Sequence, residues 1–181
     1  MRYAFTFIFL FLSIISLHAQ NDYHADTIIW DENFTLTWSD FRGEPMDFSG
    51  LGAESTCFLF ANYARTTAFS KLKFTVMAVF DRSKSWVSPK AKSEMALNYF
   101  RLMFDLYELH ARQLRKELSE TKFPLNPDPL FQQKYNNAMT ELNNEFYEFR
   151  KDTKMGTDIN ALKLWKIKIS DGLLSLKNFS E

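Results

Sequence analysis

Hydrophobic and polar positions change period along this chain, from two near the start to three and four later. Residues 28–41, IIWDENFTLTWSDF, are dense in strand formers. Residues 42–52, RGEPMDFSGLG, hold three of the five glycines and Pro45, and read as a loop. Glu54 to Ala64, ESTCFLFANYA, is apolar on both faces at its centre, which suits a strand inside a sheet. Residues 71–81, KLKFTVMAVFD, alternate: Leu72, Phe74, Val76, Ala78 and Phe80 share one face, and Lys71, Lys73, Thr75 and Asp81 the other. The last two segments are spaced to pair as an antiparallel hairpin.

The pattern then turns helical. Ser88 and Pro89 are expected to open a helix running to about Glu120, with Ser88 as its cap. Prolines 124, 127 and 129 end it, since proline lacks the amide proton a helix interior needs. A second helix is expected from Leu130 to Asp152, with Phe131, Tyr135, Ala138, Leu142, Phe146 and Phe149 on one face. A turn at 153–158 holds Gly156. A third helix, Ile159 to Leu176, carries Leu162, Trp165, Ile169, Leu173 and Leu176 on one face. Strands first and helices after predict an α+β fold: a small antiparallel or mixed N-terminal sheet with three helices packed on it.

The first twenty residues, MRYAFTFIFLFLSIISLHAQ, change the picture of where this fold works. A positive start, a short apolar run and small residues before Ala19 read as a secretory signal peptide over residues 1–19. The apolar run is too short for a retained membrane span. The expectation is one exported domain, Gln20 to Glu181, in the periplasm or outside the cell. Lysine plus arginine and aspartate plus glutamate number 22 each, so nothing electrostatic favours nucleic acid as a partner. Cys57 stands alone, which excludes an internal disulfide and a cysteine-rich zinc site. The 19 phenylalanines predict a bulky core.

The most informative stretch is LNYFRLMFDLYELHARQLRKEL, residues 97–118. Its apolar residues form two stripes. Leu97, Phe100, Phe104, Tyr107, Ala111, Leu114 and Leu118 make one; Ala96, Tyr99, Met103, Leu106 and His110 make the other. A helix apolar on two faces is mostly surrounded by protein. Asp105, Glu108 and Arg112 are placed to pair on the remaining strip, as surface pairs worth roughly a few tenths of a kcal/mol. The run RQLRKE mixes bases with acids and reads as a solvated face rather than a nucleic-acid patch.

Four pieces carry a resemblance: LTWSDFRG at 36–43, SWV at 85–87, FDLYELHARQLRKEL at 104–118, and DTKMG with Trp165 beyond it. In order and spacing over residues 30–170 the chain resembles the bacterial secreted family catalogued as domain of unknown function 922, whose members are predicted zinc-dependent proteases. The resemblance implies a zincin-like fold. It also implies a His-Glu-x-x-His pattern just before Phe104, and a further histidine before Gly156. Two histidines one helical turn apart reach one zinc ion, a third ligand leaves a position open for water, and the glutamate takes the water's proton. On this chain those places hold Tyr99, Phe100, Met103 and Met155. Phenylalanine takes no proton, a phenol is protonated near neutral pH, and a thioether is a soft ligand ill matched to zinc.

The expectation is therefore a catalytically inactive, metalloprotease-like secreted domain with no metal and no cofactor. It would bind an unidentified envelope protein or peptide, or act as a scaffold. The alternative is a zinc-dependent peptidase with an unrecognised metal site. His110, on the stripe of Met103, is a candidate cleft residue but reads as a hydrogen-bonded core histidine. His18 lies in the leader and His24 just after it. Met103 and Met155, with His110, are the soft donors for a copper(I) reading, against which stands methionine's usual role as core filler. The hydroxyls at Ser39 and in Ser83–Ser88 lack the Gly-x-Ser-x-Gly elbow of a serine hydrolase.

Overall fold

The computed structural model describes residues 26–45, 52–67 and 70–180. The expected leader, His18 and His24 lie outside the described residues, as do positions 46–51 of the glycine-rich loop. Strands β1 (Thr27–Ile29), β2 (Ala53–Ala64) and β3 (Lys73–Val87) form one antiparallel sheet in the order β1-β3-β2. Helices α1 (Glu94–Glu120), α2 (Asp128–Asp152) and α3 (Ile159–Ser175) follow. The fold is α+β: α1 packs on β2 and β3, and α2 and α3 pack on α1.

The hairpin forms as its pattern predicts. Ala61 pairs with Val76, Leu59 with Ala78 and Cys57 with Phe80, and all six side chains belong to the core under α1. The polar second face expected of β3 does not extend along the strand. Met77, Val79 and Asp81 are buried too. β3 is the central strand, and its register sets Ile29 and Phe58 against Val79, and Phe60 against Met77.

Three boundaries differ from the pattern. The strand formers of 28–41 give only three residues of β1. Asp31 turns the chain by accepting from the Asn33 amide at 2.7 Å, and residues 38–40 form a short 3-10 helix. The segment Ser83 to Val87, which lies beyond the alternating run and before the expected helix start, continues β3. Register jumps from Thr56↔Asp81 to Glu54↔Trp86, leaving a bulge. Side chains repair the broken ladder: Ser85 Oγ donates to Asp81 O at 2.6 Å and accepts from the Thr56 amide at 2.9 Å, and Ser83 donates to Asp81 Oδ1. Ser88 precedes only the short 3-10 helix Pro89–Ala91; the cap of α1 is Ser93, which accepts from the Ala96 amide at 3.1 Å.

Past β1, the edge of β3 is met by a helix side chain, Arg115 Nε donating to Val76 O at 2.8 Å. At α3, Gly172 lets two helices close up. A Cβ there would stand 2.8 Å from Leu109 of α1. Asp158 caps α3 by accepting from the Ala161 amide.

Candidate functional site

The positions singled out by sequence fall at the N-terminal half of α1 and the turn between α2 and α3. Tyr99, Phe100 and Met103 are buried. The Tyr99 ring stacks on Phe149 of α2, with centroids 5.0 Å apart and planes 7° from parallel, and meets Phe100 edge-on at 5.3 Å. Phe100 reaches the other way, to Phe41 at 5.2 Å and Trp38 at 6.1 Å. Met103 lies toward the sheet, where its Sδ accepts from Ser55 Oγ of β2 at 3.6 Å.

The turn carrying Met155 is left-handed at three successive residues: Lys154, Met155 and Gly156 have φ of 48°, 53° and 88°. For the two residues with a Cβ this costs about 1–2 kcal/mol each. Thr153 holds the turn from below. It is fully buried, its hydroxyl donates to Phe149 O at 2.6 Å, and its carbonyl accepts from Gly156 and Asp158. Gly156 has no room for a side chain, since a Cβ would lie 2.8 Å from Tyr99 Cβ and Cγ.

Positions 99 and 156 are thus in contact, but the four side chains do not share one space. Met155 is 56 % exposed and its Sδ accepts from Arg150 Nη2. Tyr99 also hydrogen-bonds Arg150; burial raises the phenol further above its ordinary range, against the pull of that cation. Tyr99, Phe100 and Met103 are therefore packed in the interior, while Met155 faces outward. A protonated phenol, a phenyl ring and two thioethers with different partners do not fit zinc. The thioethers of Met103 and Met155, each with its own partner, do not form a copper(I) pair either. Among the described residues no three or more histidine, cysteine, aspartate or glutamate side chains are grouped to hold a metal.

His110 is buried at the junction of all three helices. Its Nε2 lies 2.8 Å from Glu145 Oε2 of α2, and Lys168 of α3 reaches the other carboxylate oxygen at 2.7 Å. The hydrogen bond with His110, reinforced by Lys168, outweighs desolvation and holds the Glu145 carboxyl down at about 2. Sequence reading missed Glu145. The available signal was an acid between Leu142 and Phe149 on the apolar face of α2.

The charges expected on the solvent strip of α1 require a correction. Glu108 and Arg112 are buried, with side chains only 3 % and 5 % exposed, and they pair at 2.9 Å. Arg115 joins the same carboxylate at 2.9 Å. Arg112 also donates to Leu173 O and lies over the Trp30 ring; Arg115 also donates to Phe179 O. The run RQLRKE is solvated only in part, because Trp30 and the C-terminal end of the described chain lie over it. Asp105, on the same side, accepts from Trp30 Nε1 at 2.8 Å; desolvation pushes its carboxyl above the usual range despite that bond.

The remaining hydroxyl candidates have structural tasks. Ser39 Oγ shares a hydrogen bond with Thr37 Oγ1 at 2.7 Å, and Ser83 and Ser85 maintain the bulge. Cys57 lies under α1, where burial raises its thiol and removes nucleophilic character. No helix among the described residues is long and apolar enough to cross a membrane. Comparison with protein-family models, curated proteins and solved structures finds no match to this chain.

Proposed function

We propose that this chain is a secreted, catalytically inactive domain on a metalloprotease-like frame, with a binding or scaffold role in the cell envelope. The observation that carries the reading is the packing of Tyr99, Phe100 and Met103. Where the resemblance calls for two zinc ligands and a base, the helix presents a stacked phenol, a ring wedged against Phe41, and a thioether turned to β2. None holds zinc or takes a proton from water at neutral pH. The left-handed turn at 154–156 is pressed onto Tyr99, so two of the regions that the resemblance aligns are in contact. Strained backbone persists where its surroundings over-determine it, and such places are often former or present functional sites.

Elemental analysis of the exported protein, with a peptidase assay on unfolded substrates, tests the reading. The expected result is no stoichiometric zinc and no cleavage. About one zinc per chain, lost together with activity on chelation, overturns it.

A further inference from the structure

The binding role proposed above needs a surface, and the side of α1 away from Tyr99 and Met103 provides one. A groove of about 490 Å³ runs between α1 and α3. Its wall is apolar, with Leu102 and Leu162 buried and Met95 and Ile159 at 39 % and 56 % exposure. Lys163 and Lys166 stand on its α3 rim, both exposed and outside direct ion-pair distance of a carboxylate among the described residues, although Lys166 acts through space on the Asp105 carboxylate that lines the same groove. The third cation, Arg101, is already held by Glu94 and by Leu36 O. Asp105, at the groove's end, is engaged by the Trp30 indole.

Apolar lining with two exposed cations on one rim, against the single carboxylate of Asp105, selects for a molecule that is oily along its length and negative at one end. A neutral chain leaves the lysines unused, and a cationic one meets repulsion. The volume lies within the range of about 300–1,000 Å³ usual for small-molecule sites. We propose that this groove binds a single-chain amphiphilic anion, its alkyl chain along Leu102 and Leu162 and its head between Lys163 and Lys166. The inference rests on the binding reading above and names the ligand class for it.

Methionine methyl NMR reads the groove directly, because Met95 lines it while Met77 and Met103 are buried elsewhere. Sodium dodecanoate, titrated below its micelle concentration into the exported protein, is expected to move the Met95 signal saturably and leave Met77 and Met103 still. The K163E/K166E variant changes only exposed side chains and is expected to weaken the response at least tenfold. Dodecyltrimethylammonium is expected to give none. A silent Met95, an equal response to the cationic detergent, or an unchanged response in the double variant overturns the proposal. So does lysine-dependent sedimentation with phosphatidylglycerol vesicles when dodecanoate leaves Met95 unmoved, which assigns the rim to a membrane surface instead. Stoichiometric zinc would sink the proposed function without touching this titration, and a silent Met95 would leave the metal analysis untouched.

Discussion

The two halves of α1 bury opposite chemistry. From Leu97 to Phe104 the helix is enclosed by rings and a thioether, in contact with Phe149, Phe41 and Ser55. From Asp105 to Arg115 it encloses a carboxylate and two guanidinium groups. The aromatic half draws its stability from area removed from water and from shape. In the charged half, the Glu108 carboxylate and its arginines offset one another's desolvation, and the arginines' remaining donors find the carbonyls of Leu173, Val76 and Phe179. The lesson is that burial on this helix follows hydrophobicity except at Glu108, His110 and Arg112, where neighbouring elements or the helix itself supply partners.

The sharpest way to break this comparison is to remove one partner from the charged half. Glu108→Ala leaves two arginines short of their carboxylate in a buried setting and is expected to cost about 3–5 kcal/mol in urea unfolding. A loss below about 1 kcal/mol would show that water already solvates the pair. In the aromatic half, Tyr99→Ala removes the ring between Phe149 and Gly156 and is expected to cost about 3 kcal/mol, without any change in metal content. A smaller loss would mean the turn collapses onto the vacated space.

A third test uses acid. Glu145 has its folded carboxyl depressed to about 2, against an ordinary value of 4.5. Its contribution is therefore complete above the ordinary value and is lost as pH falls from there through about 2. The expected loss is on the order of 2 kcal/mol, and Glu145→Gln should remove that part of the acid dependence. An identical acid profile in the variant would assign the loss to other carboxylates. The smallest effect belongs to Met155→Ala, within about 0.5 kcal/mol, because that side chain is largely exposed. A drop as large as that expected for a buried methionine would place Met155 in the core after all.

Much of the fold was legible. The alternation of Phe74, Val76, Ala78 and Phe80 gave the helix-facing side of β3, and prolines 124 and 127 marked the gap between α1 and α2, with Pro129 in the first turn of α2. The break of β1 after Ile29 was not, because strand propensity from Ile28 to Phe41 says nothing of Asp31 turning back onto the Asn33 amide. Nor was the extension of β3 through Ser83–Val87, where side-chain hydrogen bonds replace ladder bonds that a periodicity count cannot see. At the site, the identities of Tyr99, Phe100, Met103 and Met155 spoke against zinc without any coordinates. Their arrangement did not follow, and Met155 proved to stand outside the packed group.

By itself the sequence determined the fold class and the helical run from Leu97 to Leu118. These depend on local period and residue chemistry, which neighbours in the chain already specify. Only the tertiary structure decided that Glu108 and Arg112 are buried, that His110 meets Glu145, and that α1 and α3 leave a groove rimmed by lysines. Each of those depends on residues 30 or more positions apart, and a charged side chain carries no local mark of whether a distant partner will cover it.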